Sequence, residues 1–157
     1  MSRFLCAALL ILAPSLACAQ VACGFLSTPG AAFGVYDDGA PGAADTATSV
    51  VVRCLRNGGP ANVTLTLQIG PSAGSGQIAS RALSAGAERL VYNLYRDASR
   101  SAVWGQTAGV DTGAVALNGI PNNGSKDATF VVYGRIPALQ SVAAGAYADS
   151  VQLTISP

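Results

Sequence analysis

The feature that most constrains this chain is a hydrophobic period of two. Val63, Leu65, Leu67 and Ile69 alternate with Thr64, Thr66 and Gln68. Leu90, Tyr92 and Leu94 alternate with Val91, Asn93 and Tyr95, and Val151, Leu153 and Ile155 alternate with Gln152 and Thr154. Successive side chains of an extended strand point to opposite faces, so each run offers one face to a core. Residues 49–54 (SVVVRC) and 129–133 (TFVVY) are β-branched and aromatic, which reads as more deeply buried strand. Residues 33–36, 103–104 and 114–117 are shorter candidates. Asp38-Gly39, Asn57-Gly58-Gly59-Pro60, Gly70-Pro71, Asn118-Gly119 and Asn122-Asn123-Gly124 punctuate the runs as turns. No window sustains a 3.6-residue period with caps at both ends, and residues 138–146 support a helical turn at most. The pattern predicts one all-β domain of about seven to nine short strands, arranged as a sandwich.

The N-terminus reads as an address. Ser2-Arg3 is polar with one positive charge, residues 4–12 are almost continuously apolar, and Ala17-Cys18-Ala19 is a small-residue cleavage site. This is the plan of a secretory signal peptide, with cleavage expected before Gln20. The apolar run is too short to span a bilayer, which takes about 20 residues. Residues 1–19 are therefore assigned as signal peptide and 20–157 as one exported domain. Removal of the signal takes Arg3, Cys6 and Cys18 with it. Acids and bases are then equal in number, and Cys23 and Cys54 are the two cysteines left. In an exported chain such a pair is expected to form a disulfide, and the spacing is wrong for a CxxC redox motif.

Chemistry is sparse. The chain has no histidine, which excludes a Ser-His-Asp triad, a Cys-His pair and His-based metal sites. Charged residues make up only 11%, with no basic run, so phosphate-driven nucleic-acid binding is not expected. Gly70-Pro71-Ser72-Ala73-Gly74 matches the GxSxG nucleophile elbow but lacks a base to activate it, and reads as a turn after a strand. Gly74-Ser75-Gly76-Gln77-Ile78-Ala79 matches a loose dinucleotide fingerprint with no βαβ unit around it. Asp37, Asp38 and Asp45 lack EF-hand spacing. Asp97, flanked by Arg96 and Arg100, reads as a surface ion pair. Tyr92, Tyr95, Trp104, Tyr133 and Tyr147 lie on or beside strands, where packing is their commoner use. No catalytic residue, metal or cofactor is assigned, and no enzyme activity is expected.

The last apolar run covers residues 147–155, and only Ser156-Pro157 follow it. A sandwich strand in that position leaves an edge that invites pairing with another chain. Val151, Leu153 and Ile155 form the alternating row expected to set the register of such a strand.

The order and spacing of several landmarks carry a resemblance. They are Cys23, Phe33-Gly34-Val35-Tyr36, Val52-Arg53-Cys54, Arg81-Ala82-Leu83 and Leu90-Val91-Tyr92-Asn93-Leu94-Tyr95-Arg96-Asp97. Val103-Trp104-Gly105, Val132-Tyr133-Gly134-Arg135-Ile136, Gln140 and Gly145-Ala146-Tyr147-Ala148-Asp149-Ser150-Val151 complete them. Together they resemble the spore coat protein U domain, also found in subunits of archaic chaperone–usher pili. The resemblance implies an incomplete immunoglobulin-like sandwich exported through the periplasm to the cell surface, not an integral membrane protein. It implies a periplasmic chaperone, an outer-membrane usher and neighbouring pilus subunits as partners, with a structural or adhesive role. The chaperone and then a neighbour's N-terminal segment would supply the missing strand. Rod-forming subunits carry a donor segment of a dozen or more residues before the first cysteine. Cleavage before Gln20 leaves Gln20-Val21-Ala22, so the expectation is a subunit that accepts a strand without donating one. The competing expectation is a self-contained secreted module that binds a carbohydrate or surface polymer.

Overall fold

A computed structural model describes residues 20–157. The expected signal peptide, 1–19, lies outside the described residues. The alternating runs form strands: β1 (Gln20–Ser27), β2 (Ala44–Asn57), β3 (Val63–Ser72), β4 (Arg81–Ala85), β5 (Glu88–Tyr95), β6 (Gly113–Leu117), β7 (Gly124–Ile136) and β8 (Val151–Ser156). No helix occurs among the described residues. Five strands make one sheet in the order β1-β2-β7-β5-β4, and three make a second in the order β6-β3-β8. All the strand pairings are antiparallel. This is an all-β, pilin-like immunoglobulin sandwich.

The period of two builds the core. Val50, Val52 and Cys54 of β2, Leu65, Leu67 and Ile69 of β3, and Leu90, Tyr92 and Leu94 of β5 are buried, as are Ala128, Phe130 and Val132 of β7. A fully buried Val, Leu, Ile or Phe side chain contributes about 1.5–3 kcal/mol, so these rows dominate the folding energy. Trp104 meets Phe130 edge-on at 6.4 Å, and its indole N–H donates to the Leu67 carbonyl. A buried aromatic thereby keeps its polar atom satisfied.

Cys23 and Cys54 are bonded and stand directly opposite each other in the β1–β2 ladder. The bond ties an edge strand to the long central β2, whose other side pairs with β7 along nearly its whole length.

Gln20, Val21 and Ala22 pair with Asn57, Arg56 and Leu55 as the start of β1. Several local expectations are refined by the structure. Residues 33–36 form an irregular loop rather than a strand, bent at Gly34, whose φ is +74°. Val103 makes a single bridge to Tyr95, and residues 138–146 contain no helical turn. Asp97 makes no ion pair with its flanking arginines. It accepts hydrogen bonds from Ser99 Oγ, from the Ser101 N–H and Oγ, and from the Ala102 N–H. Nearby hydroxyl and amide donors satisfy Asp97 within a tight turn, while Arg96 donates to the Thr112 carbonyl and Arg100 pairs with Asp45.

Candidate functional site: a groove beside the last strand

The two sheets differ in width, and the consequence falls at β8. This strand pairs with β3 from Thr66↔Ser156 to Ser72↔Val151, with an irregularity between Ile69 and Ser72, and it is the outer strand of its sheet. Peptide groups of an antiparallel strand point sideways in alternation. Ile69, opposite Leu153, donates its N–H away from β8 to the Gly105 carbonyl. Ser150 presents its carbonyl to the Ala73 N–H, and the Gln152 carbonyl packs against Gly70. Even-numbered residues thus face β3, while Val151, Leu153 and Ile155 turn their own peptide groups to the open side.

A groove of about 460 Å³ lies along that open side, between the sheets. Its floor is the inner face of the large sheet, with Val50, Val132, Leu94, Tyr92 and Leu83. Ile69, Val151 and Leu153 form one wall. The other is the stretch after β1, from Thr28 to Ala31, followed by Phe33. The β1–β2 ladder stops at Ser27↔Val51, so the first half of β2 has no strand neighbour on that side. Thr48 Oγ1 donates to the Pro29 carbonyl at 3.2 Å and holds the lip there. Of the row expected from the sequence, Val151 and Leu153 line the groove. Ile155 is half-buried against the core but does not line it.

A second space of about 930 Å³ adjoins the first and shares Ala31, Phe33, Leu83 and Tyr147 with it. Phe33 separates the two, packed edge-on against Tyr92 at 5.7 Å. It reaches that position because Gly134 has no side chain: a Cβ there would lie 2.8 Å from the Phe33 ring. Tyr36 locks the loop by donating to the Pro137 carbonyl and accepting from the Gln140 N–H.

The β4 end of the groove is closed by backbone. Ser84 and Ala148 exchange N–H···O bonds of 2.8 and 3.2 Å, although Ala148 lies ahead of β8. Here Asp149 enters the lining as its one carboxylate, and no lysine or arginine accompanies it. The Tyr92 hydroxyl donates to Asp149 Oδ2 at 2.6 Å, and the Gly74 N–H donates to Oδ1 at 3.0 Å. Burial, and then the bond to Asp149, raise the Tyr92 phenol well above its ordinary value, so it stays a donor.

Behind this end sits a polar network that sequence reasoning did not find. Arg81 is fully buried and makes no ion pair with a carboxylate among the described residues. Its guanidinium donates to the carbonyls of Ile69, Gly70 and Trp104 and to Asn93 Oδ1. It satisfies β3 where the β3–β8 ladder breaks. Ser72 lies beside it, 1% exposed. Its Oγ donates to the Ala82 carbonyl and accepts from the N–H groups of Gly74, Ser75 and Ala82. The serine of the GxSxG match is therefore a buried turn staple. The only signal for this network was an arginine opening a short apolar run, which composition cannot separate from a surface arginine. No group of three or more potential metal-ligating residues occurs among the described residues.

Comparisons with known proteins agree with the architecture. Residues 9–154 match the family model of the Spore Coat Protein U domain. Among solved structures, the chain is similar to a chain in the crystal structure of the CsuC-CsuE chaperone–tip adhesion subunit pre-assembly complex, from archaic chaperone-usher Csu pili of Acinetobacter baumannii. That likeness has a TM-score of 0.57 at 17% identity, over 87% of this chain and 39% of the other. The chain thus spans about two fifths of that protein's length. No curated protein matches it significantly.

Proposed function

Since the chain belongs to the Spore Coat Protein U domain family, we propose that it is an exported pilus-type subunit whose groove accepts an extended strand from another polypeptide. The observation that carries this reading is the outer edge of β8. Val151, Leu153 and Ile155 send apolar side chains toward the core and turn their peptide groups to the open side, where Val151 and Leu153 line the groove. An incoming strand would gain main-chain hydrogen bonds from β8 and burial for alternate side chains on the floor. In this reading a periplasmic chaperone fills the groove first, an outer-membrane usher exports the subunit, and a neighbouring subunit takes the chaperone's place. The Tyr92–Asp149 pair and Arg81 shape the site, and no residue is assigned a catalytic role.

The test is to mix the purified protein, disulfide intact, with synthetic peptides of alternating apolar and polar residues. Stable 1:1 complexes with a raised melting temperature are expected. A soluble, two-state monomer indifferent to every peptide would overturn the reading and favour a self-contained binding module.

A further inference from the structure

Asp149 stands two residues before Val151, so it is the first member of the inward row Asp149, Val151, Leu153, Ile155. All four are half-buried, whereas Ser150, Gln152 and Thr154 between them are exposed. The wall of the groove therefore reads acid, apolar, apolar along its length, and Ile155 continues the inward row beyond it. A strand laid against β8 covers that carboxylate together with the apolar row.

A carboxylate offers about four lone-pair positions, and Tyr92 and Gly74 occupy two here. No ion pair among the described residues includes Asp149. The two arginines in this part of the fold make no ion pair with Asp149, although Arg81 is near enough for the two charges to attract each other. Arg81 donates to buried carbonyls and Asn93, and Arg89 donates to the carbonyls of Gly74, Gly86 and Glu88. The adjoining space adds acids, Asp37 and Asp38, and no base. Covering a carboxylate with apolar groups is costly, and a cation placed on it recovers much of that cost.

From this we infer that the groove selects a strand bearing a lysine or arginine at the inward position facing Asp149, with apolar side chains at the inward positions that follow. The inference rests on the strand-accepting reading above and adds the chemistry of the partner. Asp149 acts as a specificity residue that sets the register of the incoming strand, because a slip of two residues would put an apolar side chain on the carboxylate.

The test uses nine-residue peptides with an alternating valine and threonine pattern, carrying lysine, norleucine or glutamate at the first or at the last inward position. Binding to the protein and to D149N is measured by calorimetry at low and moderate salt. The lysine peptide is expected to bind about tenfold tighter than norleucine at one of the two ends only, and glutamate weakest. D149N should erase that ranking and its salt dependence, so that lysine and norleucine peptides bind it alike. Equal affinities for lysine and norleucine on the wild-type protein would overturn the inference and leave strand acceptance standing. So would a lysine preference that survives in D149N. Failure of every peptide to bind would overturn both. Because the ranking is read on the wild-type protein, poor folding of D149N would not shield the inference.

Discussion

Arg81 and Ser72 show how single polar side chains hold the molecule where its ladder breaks. Replacing Arg81 with methionine leaves the Ile69, Gly70 and Trp104 carbonyls without their donor, and a loss of about 3–5 kcal/mol is expected in denaturant unfolding. Ser72→Ala orphans several buried turn groups and should cost about 1–3 kcal/mol. The acids predict a pH dependence. A hydrogen bond from Arg135 lowers Asp45, one from Arg53 lowers Asp127, and one from the Ser99 hydroxyl lowers Asp97 below the ordinary 3.8. A carboxylate depressed in the folded state stabilises above its unfolded pKa, and that contribution is lost as pH falls through the folded value. Thermal melts should therefore be flat near neutrality and drop below about pH 4, with the drop reduced in D97N. A melting temperature that rises on acidification would contradict this. At this scale the sequence announced Cys23, Cys54 and the Asp37 turn, since each depends on local spacing or compartment. Arg81 and Ser72 were illegible because their partners come from strands and loops far along the chain.

Among elements, β1 and β8 are both edge strands, and the sequence served them unequally. The strict alternation of Val151, Leu153 and Ile155 announced β8. Residues 20–27 (QVACGFLS) hide β1, because only Val21 and Cys23 of that strand are even half-buried. What holds β1 is its ladder to β2, reinforced by the in-register disulfide. Cys23→Ser or Cys54→Ser should destabilise the domain by about 2–5 kcal/mol, with the β1 amides losing exchange protection first. Equal melts with and without reductant would contradict it. On β8, the triple change of Val151, Leu153 and Ile155 to aspartate should abolish strand uptake and, in cells, export or assembly. Leu153→Asp alone tests the groove wall with less risk to the fold. Normal secretion of the triple variant would count against the role given to this row. Trp104 and the 33–36 stretch show the limit of periodicity: Trp104 is buried and Phe33 and Tyr36 are half-buried, yet the first sits in a connection and the other two in a bent loop.

At the scale of the molecule, the eight strands among the described residues divide five against three, and the narrower sheet has β8 at one edge. That division was only partly legible. Strand count and class follow from alternation and turn residues, which are local. Which strand lies at which edge follows from pairing across the chain, such as β2 with β7, and no local pattern encodes it. Export is the premise of the disulfide and of the assembly role, and N-terminal sequencing of the secreted protein should begin at Gln20. The central claim, that another polypeptide completes this sandwich at β8, is tested most directly by amide hydrogen exchange at Val151, Leu153 and Ile155. The account predicts that these amides exchange rapidly in the isolated protein and become strongly protected when a strand peptide or chaperone is bound. Amides already protected in the isolated monomer, and unchanged by any strand, would contradict it.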